Sequence, residues 1–289
     1  MQAYSRLQIP SNAPLELRPS LGKGWGAFAT RRIERGSRIL SEKPLFIIPR
    51  PHTDITEEHV TMVFQKLLPS QKAEFLLLRD NGSTVFRSLI EAFAENSFGI
   101  VTSDPNKPLA HGLFPLHSRF NHSCAPNSKI PTTSGETISA FATRDIDADE
   151  ETTFCYNTDF EGRTRYEHHE ALRFACNCMA CLPGTPFQRL SDMRRRLIRG
   201  LQYLTLGVDL DGQRQSPRFS IIVDSKLRTA AENHSIPISS RMIYTLFTIF
   251  LLEEEGLLDD LTVERLNPSL IRTMSLFRLR AIIVLLGML

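Results

Sequence analysis

"RFNHSCAPNS", Arg119 to Ser128, packs Asn121, His122, Ser123, Cys124, Pro126 and Asn127 into one short run. Such a run can be a polar turn, half of a metal site, or the floor of a cofactor pocket. One cysteine and one histidine cannot complete a structural metal site, which takes four ligands. Any further ligands must come from elsewhere in the chain.

Downstream, "CNCMAC" places Cys176, Cys178 and Cys181 as C-x-C-x2-C. Soft thiolates at this spacing suit zinc, but three are one short of a tetrahedral set. His168 and His169 stand nearby on an expected helix, with charged neighbours. Cys124 is the distant candidate and the favoured fourth ligand. Cys155, at a strand position beside aromatics, reads as a packed thiol. Four thiolates would close the shell and leave no open position, so the metal is expected to be structural. Its apparent binding free energy, on the order of 10 kcal/mol, would couple to folding and tie Cys124 to the segment after Tyr156. Five cysteines, three of them clustered, fit an intracellular metal site better than a secreted disulfide framework.

Composition sets wide bounds. A chain of 289 residues can bury one large core or two modest ones, and 42% apolar with 23% charged residues is ordinary for a folded soluble protein. A net charge of +2 does not argue for nucleic acid or an anionic membrane as partner. "MQAYSRLQIPSNAPLEL" lacks the apolar core of a signal peptide. "AIIVLLGML", residues 281–289, is about half a bilayer span and reads as a terminal core helix. The expectation is a soluble intracellular protein with no membrane attachment.

Between Leu15 and Pro49, "LELRPS", "GWGAFAT" and "SRILSEKPLFIIP" read as short strands punctuated by glycine and proline. From Thr56, a plain N-cap signal, "TEEHVTMVFQKLLPSQKAEFLLLRDNG" has helical spacing and a stop at Asn81-Gly82. A second helix is expected around "TVFRSLIEAFAENSF". Strand character returns in "ETISAFATRDIDADEETTFCY". Beyond Pro183-Gly184, "RLSDMRRRLIRGLQYLTLG" and most of Ser220 to Leu289 read as helices. The arginines of "DMRRRLIRG" read as a solvated helix face rather than a nucleic-acid patch. The fold class is α+β.

Two more stretches bear on a pocket. In "GKGWGAF", Gly22, Gly24 and Gly26 allow either a tight bend or a close backbone approach to a ligand, without the strand-to-helix setting of a dinucleotide fingerprint. In "DEETTFCY", Asp149 to Tyr156, the acidic start reads as a turn, with Phe154 and Tyr156 on one face of a strand.

In this order, "GKGWGAFATRRIERGSRIL", "SRFNHSCAPN", "DEETTFCY" and "FACNCMAC" resemble the SET-domain protein lysine methyltransferases. The helical insertion is similar to that of the SET-and-MYND subgroup, although this sequence shows no MYND zinc finger. The resemblance covers roughly Leu17 to Pro183. It implies a β-rich pseudoknot fold in which a C-terminal segment is threaded. The domains would be a SET domain over 15–161 with a helical insertion at about 52–98, a zinc-binding post-SET segment over 162–184, and a helical region over 185–289. In the subgroup, such a helical region walls the acceptor groove.

By the same resemblance, S-adenosylmethionine would contact Lys23, Gly24, Trp25, Asn121 and His122, and Phe174 would pack on its adenine. Tyr156 matches the catalytic tyrosine. Phe154 stands where the family chooses between Phe and Tyr, and Leu172 lies where the subgroup often has a channel aromatic. Cys124, Cys176, Cys178 and Cys181 would hold zinc. The implied activity is methyl transfer to lysine side chains of a protein, histone or non-histone, by a monomer in the nucleus or cytoplasm that does not bind nucleic acid. The rival expectations are an inactive SET scaffold serving as an adaptor, and transfer to a small-molecule amine through a channel widened at Leu172. The chain departs from the common "GEEL" at Asp149 and Thr152. His117, near the second motif, reads as a buried neutral histidine.

Overall fold

The short apolar runs after residue 14 form four strands: β1 (Leu15–Ser20), β2 (Gly24–Ala29), β3 (Arg38–Glu42) and β4 (Phe46–Ile48). In this computed structural model the described residues are 4, 7–79, 84–100, 110–131, 137–157, 160–172, 174–206, 238–259 and 262. The expected helix stop at Asn81-Gly82, the 281–289 stretch and much of the 185–289 region lie outside them. Contacts divide the chain into two units: Met1–His122 with Pro126–Phe154, and Ser123–Ala125 with Cys155–Leu289.

In the first unit β1 and β2 make an antiparallel hairpin with Ser20 opposite Gly24. Gly22 and Gly24 turn the chain at φ +73 and +77, the left-handed region open to glycine. The helical stretch is two helices rather than the single one expected: α1 (Glu57–Lys66) and α2 (Pro69–Leu77). Pro69 is the reason, because its ring holds Leu68 extended and fits only a first turn. Thr56 caps α1 as expected, with His59 completing the reciprocal bond to the Thr56 N–H.

The second helix, α3 (Leu89–Asn96), is shorter than the sequence suggests. Residues after it become β5 (Ser97–Ile100), paired antiparallel with β6 (Ala110–Leu113). Phe46 stacks on Phe93 at 5.5 Å, joining this helical insertion to β4. Around it lie buried Phe75, Leu78 and Leu113. Arg119, which opens the run Arg119 to Ser128, is buried and donates to the Tyr4 hydroxyl at 2.6 Å and to Asn96 of α3.

The remaining strands are β7 (Asn121–His122), β8 (Ser128–Lys129), β9 (Ile138–Ala142) and β10 (Glu151–Phe154). Among the described residues these strands form three small sheets, in the orders β1-β2-β10-β7, β3-β9-β8 and β4-β6-β5. β10 is antiparallel to β2 and parallel to β7, with Thr153 opposite Asn121 and Phe154 opposite His122. The strand ends at Phe154, so Tyr156 lies beyond it and does not share a strand face with Phe154, as periodicity had implied. His117 is fully buried, as expected. Its Nδ1 donates to Glu42 at 2.7 Å, and its ring stacks on Phe120.

In the second unit α4 (Arg165–Leu172) precedes the cysteine segment, followed by α5 (Pro186–Leu206) and α6 (Ile238–Glu254). Thr185 caps α5 by accepting from the Gln188 N–H, and Pro186 opens it, where a missing N–H is harmless. Gly256, at φ +68, closes α6. The arginine run is a solvated face only in part: Arg196 is exposed. Arg195 is fully buried, Arg194 pairs with Glu255, and Arg199 pairs with Glu167. None of the described helices is long and apolar enough to cross a membrane.

Glu150 supplies a test of the loop that leads into β10. Burial pushes its carboxyl up, but hydrogen bonds from Arg144, Asn127 and the Asp147 N–H outweigh this and hold it below the ordinary range. A depressed folded-state value contributes stability above the unfolded value, about 4.3, and loses it as pH falls through the folded one. Glu150→Gln should therefore lower the urea midpoint at pH 7, and the gap from wild type should narrow progressively below pH about 4. Urea titrations at pH 7 and at successive acidic values check this.

Candidate active site and four-cysteine centre

β10 carries Glu151 against the backbone of β2. One carboxylate oxygen accepts from the Asn121 amide at 2.7 Å, and the other from the Lys23 ammonium at 3.1 Å. The same Asn121 amide donates to the Trp25 carbonyl at 3.2 Å. Asn121 is buried, with 6% exposure, so its orientation is fixed by these partners. Glycine at position 26 makes the approach possible. A Cβ there would collide with the Glu151 carboxylate and lie 2.9 Å from the Asn121 amide. Of the two readings of the glycine run, the bend belongs to Gly22 and Gly24, while at Gly26 the close neighbours are the Glu151 and Asn121 side chains.

The first unit thus gathers Lys23, Trp25 and Asn121 around Glu151. Gly24 opens β2 beside them, and His122 is buried in β7. The Trp25 indole is turned edge-on to Tyr4, 5.4 Å between centroids, so it is the backbone of Trp25 that meets Asn121. Phe154 is half-buried against Phe98, 5.7 Å between ring centroids. Glu151 escaped the sequence reading, which took the acidic pair as a turn. The available signal was a carboxylate leading a β-branched and aromatic strand, where it needs cationic or amide partners.

The second unit holds Tyr156 and Phe174, both partly open to solvent at 41% and 37% exposure. Leu172 packs against the core formed by Cys124, Phe160, Cys176, Ala180 and Cys181. The Sγ atoms of Cys124, Cys176, Cys178 and Cys181 all lie within 4.8 Å of one another. Cys124 is 3.5 Å from Cys181 and 3.9 Å from Cys176 by sulfur. A tetrahedron with metal–sulfur bonds of about 2.3 Å has edges of about 3.8 Å, so the donor set fits a zinc-sized ion. All four cysteines are free of disulfides.

The other ligand candidates are engaged differently. His168 stacks on Phe160 and donates through Nε2 to the Phe160 carbonyl at 3.0 Å, leaving Nδ1 3.8 Å from Cys181 Sγ. His169 reaches the Cys176 carbonyl at 3.2 Å, and the Cys155 thiol donates to the Asn157 carbonyl. Hydrogen bonds with the other three thiols, then burial, raise Cys124, while the bond from Cys124 lowers Cys178 to about 6. Four thiols this close cannot all ionise unaided, and a divalent cation would replace the protons they share.

Comparison with known proteins agrees with this picture. Residues 24–157 match the family model of the SET domain. A "Methyltransferase" of Gibberella zeae is 26% identical over 66% of this chain and 34% of its own length. "Histone-lysine N-methyltransferase set5" of Schizosaccharomyces pombe is 30% identical over 62% of this chain and 54% of its own. Mouse "Histone-lysine N-methyltransferase SMYD3" is 38% identical over 32% of this chain and 22% of its own. The chain therefore spans between about a fifth and a half of the length of these relatives. The ordered motifs and the match over residues 24–157 identify a SET domain within this chain, similar to the domain of proteins named histone-lysine methyltransferases.

Proposed function

We propose that the chain is an S-adenosylmethionine-dependent methyltransferase acting on lysine side chains of a protein substrate, histone or non-histone, in the nucleus or cytoplasm. The observation that carries this reading is the corner formed by Lys23, the Trp25 carbonyl, Asn121 and Glu151. An ammonium, a carboxamide, a backbone carbonyl and a carboxylate supply the donors and acceptors that the charged amino-acid end of the cofactor requires. Gly24 and His122 would border it, and Phe174 would offer its ring to the adenine. The parallel β7–β10 pairing fits a threaded segment, and the domain limits 15–161, 162–184 and 185–289 are retained in this reading.

Bound S-adenosylmethionine supplies a methyl group on a sulfonium, already a good leaving group. What the chain must do is orient the acceptor amine and favour its neutral form. A free lysine titrates near about 10.4, and an apolar lining lowers that value by disfavouring the ammonium. Phe154, backed by Phe98, presents such a surface. The Tyr156 hydroxyl would orient the amine, and alignment of this kind dominates reactions that need little acid–base chemistry. Phenylalanine at 154 offers no hydroxyl to hold a partly methylated amine, so more than one transfer is expected. Zinc on Cys124, Cys176, Cys178 and Cys181 would be structural, since four thiolates leave it no free position.

Calorimetric titration of S-adenosylmethionine into zinc-loaded protein should show micromolar binding that Asn121→Ala abolishes. Absence of binding to folded wild type would leave the scaffold alternative. Methylation of core histones and cell-extract proteins with labelled cofactor should fall about 100-fold or more in Tyr156→Phe, the cost of losing alignment. Mass spectrometry should find di- or trimethyl-lysine with wild type and a shift toward monomethyl-lysine with Phe154→Tyr. Monomethyl product alone from wild type at long times overturns the reading of Phe154.

A further inference from the structure

The four cysteines differ in how they reach one another. Cys176, Cys178 and Cys181 belong to one tight turn, in which the N–H groups of Cys181 and Leu182 both bond the Cys178 carbonyl at 2.8 Å. Local chain geometry therefore sets three sulfurs. The fourth, Cys124, arrives on the three-residue piece Ser123–Ala125, more than fifty residues earlier in sequence. Something within the second unit has to hold that piece.

Arg195 of α5 makes that connection. Its side chain is 1% exposed and spreads its fork over four acceptors. Nη2 donates to the Cys124 carbonyl at 2.8 Å, and Nη1 to the Phe160 carbonyl at 2.6 Å. Nε donates to Ser191 at 3.0 Å and to Glu255 at 2.9 Å. Glu255, itself fully buried, also accepts from Ser191 and from Arg194, both at 2.5 Å. The Phe160 carbonyl is shared with His168, whose other nitrogen faces Cys181 Sγ. One guanidinium thus joins α5, the end of α6, the Phe160 turn and the backbone of the remote cysteine.

We infer that Arg195, anchored by Glu255, is a positioning residue for the four-cysteine centre: it places Cys124 to complete the tetrahedron and so sets the affinity for zinc. The inference rests on the reading of the four cysteines as a metal centre. The planar fork is essential. A lysine would keep the charge but could not reach the two carbonyls and the carboxylate together. Groups that fix metal ligands from outside the coordination shell commonly change affinity by about 10- to 100-fold.

The test uses the full chain, stripped and reloaded, with zinc affinity read by competition against a chromophoric chelator and ligation read from the cobalt-loaded spectrum. Wild type should bind one ion with the intense charge-transfer bands of four thiolates. Absence of these would sink the metal reading and the inference with it. Arg195→Lys should lose about 10- to 100-fold in zinc affinity and weaken the charge-transfer bands. Ile198→Ala, which opens the same buried face of α5 without touching the network, should lower thermal stability yet keep affinity and spectrum. If Arg195→Lys does not fold, Glu255→Gln carries the test, with a loss of about tenfold expected. Wild-type affinity and spectrum in the folded Arg variant, or in Glu255→Gln where it stands in, overturn the inference. So does an equal loss in Ile198→Ala.

Discussion

The buried amide of Asn127 fixes β10, and through β10 the candidate site of the first unit. Its nitrogen donates to a Glu150 carboxylate oxygen and to the Glu151 carbonyl, each at 2.9 Å. Its oxygen accepts from the Thr153 N–H at 2.8 Å. A carboxamide with both ends satisfied does the work of a strand neighbour where β8 is only two residues long. Ser128 adds a bond to the Thr153 carbonyl. A one-residue slip of β10 would turn Glu151 away from Gly26 and Asn121, because side chains alternate along a strand. The run from Arg119 to Ser128 therefore acts twice within this unit: Asn121 takes part in the site, and Asn127 sets the strand that the site depends on.

Two different solutions to burying charge coexist in the chain. The Lys23–Glu151 pair keeps partial access to water, so its groups can exchange partners with an incoming ligand at modest cost. The Arg195–Glu255 pair has almost none. Removing one member of such a pair costs about 3–5 kcal/mol, since the other is left buried and uncompensated. The first arrangement suits recognition and the second suits fixing a backbone. Their contrast in exposure, more than their composition, separates a site from a support.

Much of the described structure was legible because local rules decide it. Thr56 signals a helix start, the hairpin follows from Gly22 and Gly24, and the cysteine spacing marks a thiolate cluster. Errors arose where a single residue or a longer-range contact overrode the periodic pattern. Pro69 split one helical period into two helices without breaking the apolar spacing. Ser97 and Phe98, at the end of the expected second helix, pair with β6 instead. Arg194, Arg195 and Arg199 looked like a solvent face because nothing local announces Glu255 or Glu167 as partners. Glu151 was hidden for the same reason: its partners, Lys23 and Asn121, are each thirty residues away or more.

The departures from the common SET-domain pattern at Asp149, Thr152 and Leu172 differ in what they cost. At Asp149, where the family commonly has glycine, the backbone sits at φ +66. A side chain there costs about 1 kcal/mol or more, least for Asp and Asn. Arg18 meets that residue twice, bonding its carboxylate at 2.9 Å and its carbonyl at 2.7 Å, so the loop keeps the conformation a glycine would give. Thr152, where the family has an apolar residue, is fully buried in β10 and keeps the pairing with Ala27, but its hydroxyl is buried without a hydrogen-bond partner, a cost of about 1–3 kcal/mol. Leu172, where an aromatic is common, packs into the cysteine core. None of the three alters Gly26, Asn121 or Glu151. These departures lie in the scaffold around the polar corner, whose geometry rests on Gly26, Asn121 and Glu151 alone.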